Sequence, residues 1–466
     1  MGCDGNNATP PSPAIAPGAG EIDPRRVAQS LVERFGEGGM DPRVRAVVPD
    51  FDAPFFQAGL AGYSDAAMRI IARRHGAPYC VTEALLDRTL LAGGRGFAKA
   101  DLGEIEDNIP GGGEDHPLAG QIMGSEPSEM AAAAIKMVEQ AARREKEYRG
   151  LAEGGSDVAT KRRSDEGAGA SPGESARRNP SVAPSLRRFV ASSPAFAAID
   201  VNLACPVKKI AKKARGGHWL SEPAGAVRIL EAVREAVPKE IAVTVKMRRA
   251  FDETDQMREN FLRLFDAAYD IGCAWVTVHG RTVTQKYIGP SRWDPIRELV
   301  HRNPERVIFG SGDVWRVEDI FRMLAYCSSD SRRGGLPAHP SRDAPRLAGV
   351  SVARGCIGNP WIFRQAREIL AGRETQAPTL IEQRETLLQH FQLAMDVNRL
   401  WVRGDDEARE VRAEQHTART MRKFAIRFAE HHPDGEAVRK RFIACRSLEE
   451  WRGVLDEHYA AEAMAR

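Results

Sequence analysis

Nowhere in this chain do two cysteines stand at C-x-x-C spacing, and the seven present, at positions 3, 80, 205, 273, 327, 356 and 445, follow no regular interval. That pattern excludes a disulfide framework or a zinc ribbon and reads as reduced thiols in a cytoplasmic protein. No His, Cys and Asp set falls at metal-ligand spacing, so no metal site is expected. The sequence also lacks any run of about 18 apolar residues and any short apolar stretch of signal-peptide type, so neither a membrane span nor an export segment is expected. The opening Met-Gly-Cys has Asn6 where acylation of Gly2 would favour Ser or Thr. Charge of either sign is scarce in excess: the net value is +3. A polyanionic partner must therefore be argued from local clusters.

What is present is ordinary globular composition, 42% hydrophobic and 28% charged over 466 residues, enough for one large domain with appendages. Residues 1–45 read as a disordered or poorly ordered N-terminal segment, its first twenty, MGCDGNNATPPSPAIAPGAG, being small and Pro-rich. Three stretches, near 101–116, 145–194 and 328–346, read as surface insertions; the latter two lack apolar periodicity and abound in Gly, Ser, Pro and Arg, and the first, with IPGGGED, is milder. Between them a unit recurs. Short β-rich runs stand at 54–62, 79–85, 117–124, 197–204, 242–248, 274–281, 307–313 and 349–355, most of them followed by an amphipathic helical pattern. Such alternation implies βα units on a parallel sheet, and eight of them predict a closed (β/α)8 TIM barrel over 46–370. A doubly wound open sheet is the competitor, but the first run lacks a G-x-G-x-x-G turn. From about 375 to 466 the strands stop and helical patterns predict a smaller all-helical C-terminal domain. Residues 411–446 hold nine Arg or Lys against four Asp or Glu, either a phosphate-binding face or a solvated one.

In a barrel of this kind chemistry collects at the C-terminal strand ends. Those ends supply Ala58, Gly59 and Leu60, then Glu83, Gln121, Asn202 with Cys205, Lys246, His279 with Arg281, GSGD (310–313) and ARG (353–355). One polar residue at a strand end is usually structural. A convergent set is harder to dismiss, and glycine-rich seventh and eighth ends suit a phosphate held by backbone N–H groups. Cys205 follows its strand, precedes Pro206 and has Lys208 and Lys209 nearby. It reads as a nucleophile or, protonated, a general acid.

The run N-L-A-C-P (202–206), with the Gly-Gly of RGGHWL (215–220), resembles the signature of the tRNA-dihydrouridine synthases. AGLAGYSDAAMR (58–69), GQIMGSEP (120–127), VTVKMR (243–248), VHGRTVTQKYIGPSRWDPI (278–296) and ARGCIGNPWIF (353–363) follow in the same order. The resemblance spans about 50 to 365 and implies an FMN barrel with a helical tRNA-binding domain. Such an enzyme reduces the C5–C6 bond of particular uridines in tRNA and reloads its flavin from NADPH. Carried over by position, Cys205 is the acid that protonates C5, with Asn202, Arg281 and Lys208 on the substrate. Gln121, Lys246 and His279 contact the flavin, Gly312, Arg354 and Gly355 its phosphate, and Ala58, Gly59, Leu60, Ser311 and Asp313 complete that site. The protein is taken as a monomer without membrane or metal. Three positions depart from the family pattern: Gly59-Leu60 for Pro-Met, Ser311 for Asn, and Ala353 before the eighth-strand Arg. They motivate one alternative, a non-catalytic tRNA-binding protein on a degenerate barrel. The other, an FMN barrel acting on a small metabolite, shares the strand-end cation and glycines but would not need a basic helical tail.

Overall fold

The computed structural model describes residues 22–92, 113–138, 196–207, 216–329, 344–399 and 405–460. Lys208, Lys209 and most of the three expected insertions lie outside these residues.

Nine strands run among the described residues: β1 (Phe55–Gln57), β2 (Cys80–Val81), β3 (Leu85–Leu86), β4 (Leu118–Met123), β5 (Ala198–Leu203), β6 (Ala242–Arg248), β7 (Trp275–His279), β8 (Ile308–Ser311) and β9 (Gly349–Val352). All pairings are parallel, in the order β2-β1-β9-β8-β7-β6-β5-β4-β3. β2 also pairs with β4, Cys80 opposite Leu118, and so closes the sheet. Because β3 pairs further along the same β4, Leu85 opposite Ile122, β2 and β3 are two halves of one stave. The result is the closed eight-stave barrel that the recurring unit implies.

Strand alternation sorts the side chains. Ile199, Val201 and Leu203 of β5, and Val243, Val245 and Met247 of β6, pack outward in one core with the surrounding helices. Those helices include Ala66–Arg74, Pro223–Ala236, Asp255–Asp270, Asp294–Arg302, Val317–Ser328 and Trp361–Leu370. Local chemistry starts them: Asp65 accepts the Met68 N–H at 2.8 Å as an N-cap, and Pro223 stands in a first turn. Inward positions near the N-terminal strand ends form a second, aromatic core. Phe51 stacks on Tyr79 at 4.7 Å and on Phe309 at 5.7 Å, with Phe56 and Trp275 against the same Phe309 ring.

The expectation of poor order over 1–45 does not hold for its second half. Pro24–Phe35 is a helix capped by Asp23, and Met40, Val44, Val48 and Phe51 close the floor of the barrel. The spacing of Val27, Ala28 and Leu31 gives that helix an apolar face, and burial of Val27 and Ala28 holds it to the barrel. Asp41 pins the segment, accepting from both Arg43 and Arg346. Burial opposes its ionisation, but these hydrogen bonds outweigh it and lower its pKa to about 2.

Beyond the barrel come helices Leu380–Arg399, Asp406–Phe428, Gly435–Ala444 and Leu448–His458. Trp451 joins them, 5.2 Å from Phe391 and 4.7 Å from Phe442. They meet the barrel where Trp361 packs on Phe428 at 5.4 Å and Tyr63 on Phe424 at 5.7 Å. Gly358 (φ +65°) permits a close approach there: a Cβ would stand 2.4 Å from that of Arg427. Among the described residues no helix is long and apolar enough to cross a membrane, and no His, Cys, Asp or Glu group is arranged to hold a metal ion.

Candidate active site

Above the aromatic layer the inward positions turn polar. Asp200 of β5 lies opposite Thr244 of β6, and Asn202 opposite Lys246; Lys246 in turn is level with Thr277 of β7, and His279 with Ser311 of β8. A hydrogen-bonded chain links the first of these. Thr244 donates to Asp200 at 2.6 Å, Gln121 Nε2 donates to Asp200 at 2.7 Å, and Asn202 Nδ2 donates to Gln121 Oε1 at 2.8 Å. Burial raises the Asp200 pKa against these bonds. Burial likewise lowers Lys246 to about 8, its Nζ standing 3.5 Å from Ser311 Oγ. His279 is driven well below its usual value, first by burial and then by the charges of Lys246, Arg248 and Arg281. Its Nδ1 accepts the Arg281 backbone N–H at 3.1 Å, so the neutral ring carries its proton on Nε2. The mouth thus presents a half-buried ammonium and an imidazole N–H donor.

Cys205 is carried to this mouth by a built turn. Asn202 Oδ1 accepts from the backbone N–H groups of Ala204 (2.9 Å) and Cys205 (3.2 Å), bending the chain just past β5. The Cys205 carbonyl accepts from Gly217 at 2.9 Å, and a Cβ on Gly217 would press Val283 at 2.8 Å. From below, Arg248 Nε donates to the Ala204 carbonyl at 2.9 Å. Among the described cysteines Cys205 alone is not fully buried. Burial pushes the thiols of Cys80 and Cys273 up to about 12, which marks them as core residues.

Sequence reasoning missed Arg248 as a functional residue. Its signal was available, since 242, 244, 246 and 248 share the inward face of β6. It is buried, with a pKa lowered to about 10, chiefly by burial, and its guanidinium lies 5.6 Å from the Tyr287 ring.

At the seventh and eighth ends Gly312 (φ +114°) lies against Ser291, which a Cβ would meet at 2.2 Å, and Asp313 is also left-handed (φ +55°). A Cβ on Gly355 would stand 2.3 Å from the Val314 carbonyl, so the two glycine-bearing ends touch. Arg354 lies over Trp315 at 4.5 Å and Tyr287 at 5.5 Å, its Nη2 3.7 Å from Asp313. Asp313 and Arg281 face one another: Arg281 Nη2 donates to both carboxylate oxygens, at 2.7 and 2.8 Å, and to the Gly289 carbonyl. These bonds tie the loop after β7 to the end of β8. On the adjoining stave, next to β9, the Ala58 N–H donates to the Val352 carbonyl, the Leu60 N–H to Ser64, and a Cβ on Gly59 would strike the Thr82 carbonyl at 2.3 Å. Ala58, Gly59, Gln121, Asp200 and Lys246 line a small cavity between plug and mouth. Around the mouth Arg281 Nη1, Ser291 Oγ, Trp315 Nε1 and Ser351 Oγ are buried without a hydrogen-bond partner. Such orphaned donors beside Lys246, His279 and Arg354 suit a planar, electron-rich ring bearing a phosphate.

The basic stretch 411–446 is less open than its composition implies. Lys423 donates to the Gly62 carbonyl and lies over Tyr63, while Arg427, Lys440 and Arg441 pair with Glu430, Glu436 and Glu457.

Residues 183–332 match the family model described as dihydrouridine synthase. The chain is 34% identical over 198 residues to a probable tRNA-dihydrouridine synthase of Treponema pallidum, covering 41% of this chain and 52% of that protein. It is 30% identical over 200 residues to tRNA-dihydrouridine synthase B of Shewanella oneidensis, covering 43% and 55%. Against a probable tRNA-dihydrouridine synthase 1 of Synechocystis it is 28% identical over 260 residues, covering 56% and 62%. The chain therefore spans between half and two thirds of the length of these relatives.

Proposed function

We propose that this protein belongs to the dihydrouridine synthase family and reduces uridines in tRNA to 5,6-dihydrouridine, using FMN as its resident cofactor and NADPH as the reductant. The observation that carries the reading is Cys205, which is held by its own backbone contacts at a mouth ringed with buried donors rather than sunk in the core. When bound and reduced, FMN supplies the hydride that saturates C6 of the uracil. Lys246, His279 and Gln121 would hold the ring system, with the His279 Nε2–H as a neutral donor and the Lys246 ammonium as a cation. Arg354, Ser311 and the backbone at Gly312 and Gly355 would take the phosphate, and Ala58 to Leu60 would line the adjoining wall at the end of β1.

Cys205 holds a proton on Sγ and gives it to C5, on the face of the uracil opposite the incoming hydride. In its protonated form the thiol serves as an acid rather than a nucleophile. Asn202 shapes the turn that aims the thiol, and Arg248 fixes the same turn from beneath while placing positive charge beside the uracil site. Lys208 would meet RNA phosphate. The target uridine must leave its stack to enter a barrel mouth, so the enzyme must hold it extruded. The helical domain would grip tRNA phosphates by charge and shape, through exposed residues such as Arg419 and Arg446.

The test is direct. Purified protein reconstituted with FMN should show flavin absorbance and, given NADPH and an unmodified tRNA transcript, form dihydrouridine detectable by mass spectrometry of nucleosides. Protein that stays colourless after reconstitution overturns the proposal.

A further inference from the structure

The loop leaving β7, TVTQKYIGPS over 282–291, is tethered along most of its length. Arg248 Nη1 donates to the carbonyls of Thr282 (2.8 Å) and Lys286 (2.7 Å). Gln285 Nε2 donates to the carbonyls of Ile288 and Pro290, both at 3.1 Å. Arg281 holds the Gly289 carbonyl, and Asp313 accepts the Ser291 N–H at 2.6 Å. The backbone is bent to match, with Gly289 at φ +67° and Lys286, a residue with a side chain, at φ +50°. A left-handed lysine costs free energy that its surroundings must offset.

What this framework displays is apolar. Ile288 is 77% exposed and its neighbour Tyr287 48%. A lone exposed aliphatic residue on a mobile surface would need no explanation. Here an aliphatic residue and an adjacent aromatic one are held at a fixed place beside the mouth. Tyr287 lies against Arg248 and Arg354, and Arg248 also grips Ala204, next to Cys205. Val207, two residues past the thiol, is exposed as well. The rim facing the substrate is thus apolar at its tip and cationic just inside it.

We infer that Ile288 is a wedge that packs on the face of the base neighbouring the target uridine, keeping the gap in the stack open. The inference rests on the uridine-reduction reading above. A nucleotide that swings out leaves the face of its neighbour exposed, and an apolar side chain that covers it stabilises the extruded state. Isoleucine makes no hydrogen bond to a base edge, so the contact tolerates any neighbour. Because the loop is already ordered, little conformational entropy is lost on contact.

The experiment compares wild type, Ile288→Ser and Ile288→Leu as full-length FMN-loaded proteins acting on one unmodified tRNA transcript. Loss of the contact should lower kcat/KM for dihydrouridine formation about ten-fold in Ile288→Ser, with Ile288→Leu restoring most of it. NADPH-driven flavin reduction without tRNA is the control that the site itself is undamaged. Wild-type kcat/KM in Ile288→Ser overturns the wedge alone, as does an equal loss in both half-reactions. Failure of the wild type to form dihydrouridine overturns the reading beneath it as well, so the two failures are told apart.

Discussion

At their N-terminal ends the barrel strands send Ala198, Ala242, Trp275 and Phe309 inward around Phe51. Two to four residues further along, the same strands deliver Asn202, Lys246, His279 and Ser311 to the mouth. The floor layer is buried and the mouth layer largely so, with Asn202, Lys246 and His279 half-buried, but loss of water acts on the two in opposite directions. Removing the rings from water stabilises the fold, whereas removing Lys246 and His279 from water costs free energy, visible as their lowered pKa values. The aromatic floor and the outer core hold the strands in register, and that rigidity keeps unfavourably placed cations and donors converging on one point. Stability and chemistry are divided by height along the barrel axis.

The contrast can be broken first at the mouth. Cys205→Ala should reduce dihydrouridine formation by about 10²–10⁴-fold, the usual worth of a positioned general acid, when initial rates are followed by nucleoside mass spectrometry. Uridine reduction at the wild-type rate would show that another group supplies the proton. At the floor, Phe51→Ala removes a ring stacked on Tyr79 and Phe309 and should cost about 3–5 kcal/mol of stability. That loss should appear as a lower denaturation midpoint, with Cys205-dependent turnover kept at temperatures where the variant is folded. An unchanged midpoint would mean that the plug does not hold the barrel. A subtler effect belongs to Lys246. Its pKa of about 8 leaves it charged below that pH and neutral above. If its ammonium donates to the flavin, affinity should be full below about pH 8 and fall by up to about ten-fold per pH unit above it. Lys246→Met should flatten that profile in a fluorescence titration. A flat wild-type profile from about pH 7 to about pH 9.5 would remove Lys246 from the flavin shell.

Much of this layout was legible from period-2 alternation. The β5 and β6 runs declare which residues face inward, and the break after Asn202 announces that Cys205 leaves the strand. Arg248 was legible on the same parity yet went unread, because an Arg at a strand end looks like a solvated terminus until the turn it grips is known. The helix at Pro24–Phe35 carried its own signals, Asp23 as cap and Pro24 in the first turn, but the Pro-rich composition just before it masked them. Phe51 as the barrel plug was not legible, since its partners Tyr79 and Phe309 are remote in the chain. Nor was the turn of Lys423 onto the Gly62 carbonyl, since composition alone leaves 411–446 between a phosphate-binding face and a solvated one.

The sequence by itself therefore determined the repeating βα units, the inward and outward faces of each strand, and the thiol past the fourth β-rich run. These follow from local periodicity, which acts over a few residues. Tertiary structure alone decided that Arg281 and Asp313 lock one another, that Arg248 braces the Cys205 turn, and that the loop at 282–291 holds Tyr287 and Ile288 at the rim. Those outcomes depend on which strand ends meet around the closed barrel, and closure brings together residues whose proximity no local pattern encodes.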